Sequence, residues 1–230
     1  MQYLFSCTPS TFAGIEAALS TPRILKFFPA AGQDKNLALQ LYVWDARICE
    51  AFYLPTQVAE VAIRNSIHKV LTARYGDEWH TDGRFTSCLS GNMRGALEDA
   101  IISQRVAVGI NYTINDVVAA LSLGFWEHLL TKNFYHLLWK GGIHSAFPNA
   151  PTTCSLKTLQ EKILQFRRWR NKIAHHYAVF DQNPTAEHDN ILNLIRWASD
   201  DLHWFAKQLS TVSRVINRRP KPVIDWLPQP

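Results

Sequence analysis

LKTLQEKILQFRRWRNKIAHH, residues 156–176, sets Leu156, Leu159, Ile163, Phe166, Trp169 and Ile173 at spacings of three and four. At 3.6 residues per turn such spacing draws one apolar stripe along a helix and leaves charged residues on the other side. Ser155 and Thr158 supply hydroxyls for its N-terminus, so the stretch reads as a capped, amphipathic helix over 156–174. A polar group of unusual density sits at its end, Arg170-Asn171-Lys172-Ile173-Ala174-His175-His176.

The same period runs through most of the chain, and strand-like alternation is scarce. Leu37, Leu41, Trp44, Ile48 and Phe52 form one stripe. Pro55 interrupts it, and a further helix over 56–75 buries Val58, Val61, Ala62, Ile67, Val70 and Leu71 before Gly76 stops it. Helices are also predicted over 10–19, 22–27, 93–108, 115–139 and 189–216, with capping side chains in 113–116. Loops are predicted over 76–90 and 141–153 from their turn-forming composition. The fold class is therefore all-α, a single helical domain over 1–216. A tail follows, residues 217–230, with four prolines and a basic cluster, read as a poorly ordered terminus in preference to a basic docking segment.

The chain has 230 residues, 47% hydrophobic and 19% charged, a globular balance far from that of disordered sequences. A net charge of +5 favours an anionic partner. Arg167, Arg168, Arg170 and Lys172 concentrate that charge beside the histidines. Four cysteines stand singly, without a Cys-x-x-Cys pair, and read as free thiols in a reducing compartment. The N-terminus does not resemble a secretory signal and no apolar run could cross a bilayer, so the expectation is cytoplasmic, with no membrane.

Arginine can clamp a phosphate with two parallel donors, and imidazole moves protons near neutral pH without a cofactor. On a helix Asn171 and His175 share a face, flanked by Arg170 and His176. That is the minimum set of groups for metal-free RNA cleavage. Equally, cations near a helix C-terminus favour the helix dipole and occur for that reason alone. A second polar stripe, Glu60, Arg64 and His68 with Asn65 beside it, recurs every four residues. It is either an intrahelical salt bridge or a partly buried carboxylate that needs its arginine. Arg167 and Lys172 are candidate supporting cations.

Four segments in order, Ser20-Thr21-Pro22-Arg23 with Tyr42-Val43-Trp44, then Glu60-Val61-Ala62-Ile63-Arg64-Asn65, then Leu121-Ser122-Leu123-Gly124-Phe125-Trp126, and finally Arg170 to His176, resemble the Abi-like (abortive infection) proteins of bacteria. These belong to the HEPN superfamily of helical RNA-linked domains. The resemblance covers about residues 20–180. It implies a metal-independent endoribonuclease that acts in antiphage defence or as a toxin, a homodimer with RNA as substrate, and an antitoxin protein or small RNA as neutralising partner. By the family's Arg-x4-6-His signature, Arg170, Asn171 and His175 would be catalytic and His176 accessory. Where relatives show an acidic residue and a proline after the histidines, this chain has Tyr177-Ala178-Val179-Phe180, which puts the local loop shape in question. The rival expectation is a non-catalytic module of the same type that binds RNA or protein.

Other chemistries lack their signatures. Neither His-Glu-x-x-His, a Gly-x-x-x-x-Gly-Lys phosphate loop nor Gly-x-Ser-x-Gly occurs, and no metal or other cofactor is expected. His144, His188 and His203 are isolated, and read as surface or satisfied core residues. The aromatic series Phe125, Trp126, Phe134, Tyr135, Trp139 could stack bases but reads first as core.

Overall fold

The computed structural model describes residues 5–222. Every regular element among them is helical, as the apolar periodicity requires. In chain order the α-helices are α1 (Pro9–Leu19), α2 (Thr21–Leu25), α3 (Lys35–Ala51), α4 (Tyr53–Tyr75), α5 (Gly83–Thr86) and α6 (Gly91–Val108). They continue with α7 (Ile114–Ala120), α8 (Leu123–His128), α9 (Leu156–Ala174), α10 (Pro184–Ala198), α11 (Asp200–Leu209) and α12 (Val212–Ile216).

The chain forms two compact units interleaved in sequence. Among the described residues the first takes 5–53, Asn171–His188 and 210–222; the second takes Leu54–Arg170 and Asp189–Leu209.

In the first unit α1, α2 and α3 bury Phe12, Ile24 and Leu39 together, with Ile15, Leu19, Phe28 and Tyr42 packed against them. The Trp44 indole N–H donates to the Val215 carbonyl over 2.8 Å, which ties α3 to α12. The Arg219 guanidinium lies 5.7 Å from the Trp44 ring centroid, and Pro220 is buried. The start of the tail is thus docked rather than loose, because its cation and its ring each find an apolar surface. The rest of the expected tail, residues 223–230, lies outside the described residues.

In the second unit Trp79 is fully buried and meets Phe85 and Trp126 edge-on. Leu159, Ile163, Phe166 and Trp169 point inward from α9 as their spacing predicts. The aromatic series is core at Phe125, Trp126, Phe134 and Trp139, whereas Tyr135 is exposed. The Trp139 indole N–H is satisfied by the Leu129 carbonyl at 2.8 Å.

Helix boundaries differ from the periodic reading at several places: α4 begins at Tyr53 with Pro55 inside its first turn, where a missing N–H costs nothing, α10 begins at Pro184 rather than at 189, and serine decides two of the others. The helix expected over 115–139 breaks after α7. Leu121 turns extended, and Ser122 Oγ then accepts the Phe125 N–H to start α8. The helix expected over 189–216 divides where Ser199 Oγ accepts the Leu202 N–H and Ser210 Oγ accepts the Val212 N–H. A hydroxyl that caps the backbone competes with helix continuation, and apolar spacing does not register that competition. A short helix, α5, stands inside the predicted 76–90 loop, started by the Asp82 carboxylate on the Arg84 N–H. The predicted stop at Gly76 is present, with the glycine at φ +82, as are the capping box of Thr113 and Asp116 and the Ser155 cap of α9.

Candidate functional site

The site is built on the C-terminal end of α9, within the first unit. Tyr177 N–H bonds back to the Lys172 carbonyl and His176 N–H to the Ile173 carbonyl, the two hydrogen bonds of a Schellman turn. That turn requires a left-handed residue one position beyond the cap, a place usually taken by glycine. Here His176 occupies it, at φ +58. A side chain in that conformation costs of order 1–2 kcal/mol, and surrounding contacts hold it in place.

Those contacts are specific. Arg23 Nη1, from α2, donates to the His176 carbonyl at 2.9 Å. Asp45 Oδ1, from α3, accepts the N–H groups of Val179 and Phe180, each at 2.8 Å. The Phe180 ring stacks on Phe27 with centroids 4.9 Å apart. Gln182 closes the loop from the other side, taking the Lys172 ammonium on its oxygen and donating to the Ala178 carbonyl. The Tyr177-Ala178-Val179-Phe180 segment thus gains its shape from a carboxylate and an aromatic contact instead of an acidic-proline pair.

The turn lines an open cleft of about 300 Å³, together with Arg23, Lys26, Tyr42, Asp45, Tyr177 and both histidines. His175 and His176 are exposed there. The Lys26 ammonium stands 6.0 Å from the Tyr177 ring centroid. Asp45 is only 7% exposed. Burial pushes its carboxyl up from the ordinary range, while the two backbone donors and Arg23 pull it down and Asp181 adds to the rise. Cys49 lines the adjoining part of the cleft, and burial pushes its thiol up to about 12, helped by Asp45, so it is no nucleophile near neutral pH.

The other predicted site residues lie elsewhere. Asn171 is exposed on α9, and Lys172 is engaged by Gln182. Glu60, Arg64, Asn65, His68, Arg167 and Arg170 belong to the second unit. There Glu60 pairs with Arg170 through Nε at 3.1 Å and Nη2 at 3.4 Å, rather than with Arg64 one turn along its own helix. The Arg64 Nε is buried with no hydrogen-bond partner among the described residues. Asn65 faces solvent. His68 accepts the Trp79 indole N–H on Nδ1 at 3.0 Å, and burial holds its imidazole below the usual value, opposed by Asp77. Arg167 approaches Glu127 at 3.6 Å, and Gln160 donates to the same carboxylate at 3.1 Å. Gly124 permits this arrangement, because a Cβ there would come 2.7 Å from Arg167 Nη1.

Sequence reasoning missed Arg23, Lys26, Tyr42, Asp45 and Tyr177 as site residues. Arg23 and Tyr42 were visible only as pieces of the resembling segments, and no spacing signal connects α2 or α3 to a turn more than a hundred residues later. The four cysteines are free. His188 and His203 are satisfied by the Ser210 hydroxyl and the Leu192 carbonyl at 2.8 and 3.0 Å. No helix among the described residues is long and apolar enough to cross a membrane. Comparisons of the chain with family models, with curated proteins and with solved structures gave no match.

Proposed function

We propose that this protein is a metal-independent endoribonuclease whose chemistry centres on His175 and His176 in the cleft of the first unit. The observation that carries the reading is that two exposed imidazoles share one cleft with two cations, Arg23 and Lys26. RNA holds its own nucleophile. One neutral imidazole takes the proton of the 2′-OH as its oxygen attacks phosphorus. A protonated imidazole gives a proton to the departing 5′ oxygen as the phosphorus–oxygen bond breaks. The products are a 2′,3′-cyclic phosphate and a 5′-hydroxyl, and proton transfer of this kind contributes about 10²–10⁴-fold. Arg23 and Lys26 hold the phosphate and stabilise the charge that grows on it. In this reading Arg170 braces the fold through Glu60. The motif order resembling Abi-like, HEPN-type proteins supports a defence or toxin role, with a homodimer able to present additional imidazoles.

The commitment of Arg170 to Glu60 favours a second reading, a non-catalytic RNA-binding module in which the Arg-His motif is structural. The test is cleavage of total and structured RNA in EDTA by the wild type, His175→Ala and Lys26→Ala, with chemical analysis of the new ends. Cyclic-phosphate ends lost in folded His175→Ala support the enzyme. A folded wild type that binds RNA and leaves it intact supports the module.

A further inference from the structure

The cleft has a second lobe of about 320 Å³, lined by Leu19, Ala46 and Cys49 together with Tyr42, Asp45 and Tyr177. Arg23 and His176 line both lobes, so the two are continuous. Their chemistry differs. The first adds Lys26 and His175, whereas the second adds an aliphatic residue, a methyl and an uncharged thiol. A volume at the lower end of ligand sites, which begin at about 300 Å³, suits one ring system and not a folded element.

Among the residues that line the second lobe Asp45 supplies the carboxylate, beside Arg23, His176 and two tyrosines. Its Oδ1 is filled by the Val179 and Phe180 N–H groups, and its Oδ2 has no hydrogen bond among the described residues. An ionised carboxylate only accepts, so at the wall of a partly apolar slot with flanking tyrosines and Arg23 nearby it matches a flat ring whose edge carries donors. Among the four bases guanine fits best. Its N1–H and N2 amino group are adjacent donors that can converge on the one oxygen left open, whereas in adenine and cytosine the amino group adjoins an acceptor that would meet that oxygen, and in uracil the single N–H lies between two carbonyls.

We propose that the second lobe is a guanine-binding subsite that seats one base of an RNA strand while its phosphate lies on Arg23, Lys26 and the histidines. The inference rests on the nucleic-acid reading of the same cleft and adds base selection to it. Asp45 thereby serves twice, with Oδ1 fixing the histidine-bearing turn and Oδ2 reading the base.

Isothermal titration calorimetry with the 3′-monophosphates of guanosine, adenosine, cytidine and uridine, and with inorganic phosphate, tests it on the full chain without requiring catalysis. The guanosine nucleotide is expected to bind at least roughly tenfold tighter than the uridine one, the scale of one hydrogen bond to a charged group. Asp45→Asn should erase that preference. Because Asp45 also holds the turn, Ala46→Leu on an exposed helix position is the second variant, filling the lobe and erasing the preference while phosphate affinity stays within about twofold of the wild type. Equal affinities for the four nucleotides, or an undiminished guanosine preference in Ala46→Leu, would overturn the subsite. A tetraribonucleotide with one guanosine should outbind GTP; the reverse order would overturn the assignment to an RNA strand. Guanosine preference without RNA cleavage in EDTA leaves the subsite standing and removes the nuclease, whereas cleavage with no nucleotide preference does the opposite.

Discussion

Arg23 reaches across 153 positions of sequence to donate a 2.9 Å hydrogen bond to the carbonyl of His176, the residue held in a left-handed conformation at the end of α9. One guanidinium thereby steadies a strained turn and brings positive charge to the cleft that the two histidines line.

His176 separates strain from function. His176→Gly should leave stability unchanged or raise it by up to about 1 kcal/mol, since relief of the left-handed side chain is partly offset by the greater freedom of glycine in the unfolded chain. RNA cleavage should fall. Urea denaturation and an EDTA cleavage assay on the same preparation check both halves.

His175 is exposed at the end of α9, with no side-chain hydrogen bond or ion pair among the described residues, so His175→Ala should shift the unfolding free energy by no more than about 0.5 kcal/mol. Cleavage should drop by about 10²–10⁴-fold. A variant that unfolds instead would mean that the imidazole is structural.

Glu60 and Arg170 are 24% and 41% exposed at their side chains, so solvent screens their attraction. A double-mutant cycle with Glu60→Gln and Arg170→Gln should give a coupling of at most about 1 kcal/mol. If Arg170 only braces, Glu60→Gln and Arg170→Gln should change cleavage equally. A far larger loss in Arg170→Gln would return that residue to the reaction itself.

Gly124 and Arg167 give a sign reversal. Gly124→Ala should destabilise the wild type by about 1 kcal/mol, because the new Cβ displaces Arg167 and leaves Glu127, 7% exposed, with less compensation. In an Arg167→Ala background the same substitution should stabilise by up to about 1 kcal/mol through helix propensity alone. Thermal unfolding of the four proteins measures it.

His68 makes stability pH-dependent. Burial lowers its folded value below the ordinary imidazole figure of about 6.5, so the unfolded chain binds the extra proton first. Its contribution is complete above that figure and is lost as pH falls through the lower folded value. Stability should therefore decline on acidification below about pH 6.5. His68→Gln, which can still accept the Trp79 N–H, should show a shallower decline. Denaturation midpoints at several pH values provide the comparison.

Much of the fold was legible because burial writes a 3.6-residue period into apolar positions. Leu159, Ile163, Phe166 and Trp169 were readable as the inner face of α9, and all four are buried. Gly76, Thr113 and Ser155 announced helix ends through local backbone chemistry. The breaks at Ser122, Ser199 and Ser210 were not legible, since serine fits a helix interior or a cap and local sequence does not choose between them.

For the candidate site, sequence alone determined that two histidines and their cations end an amphipathic helix, because residues a few positions apart on one helix have fixed relative placement. Tertiary structure decided which groups join them. It brought Arg23, Lys26 and Asp45 to the histidine turn and gave Arg170 to Glu60. Such pairings depend on how helices distant in sequence pack, and charged side chains carry no periodic signal of the partner they will meet.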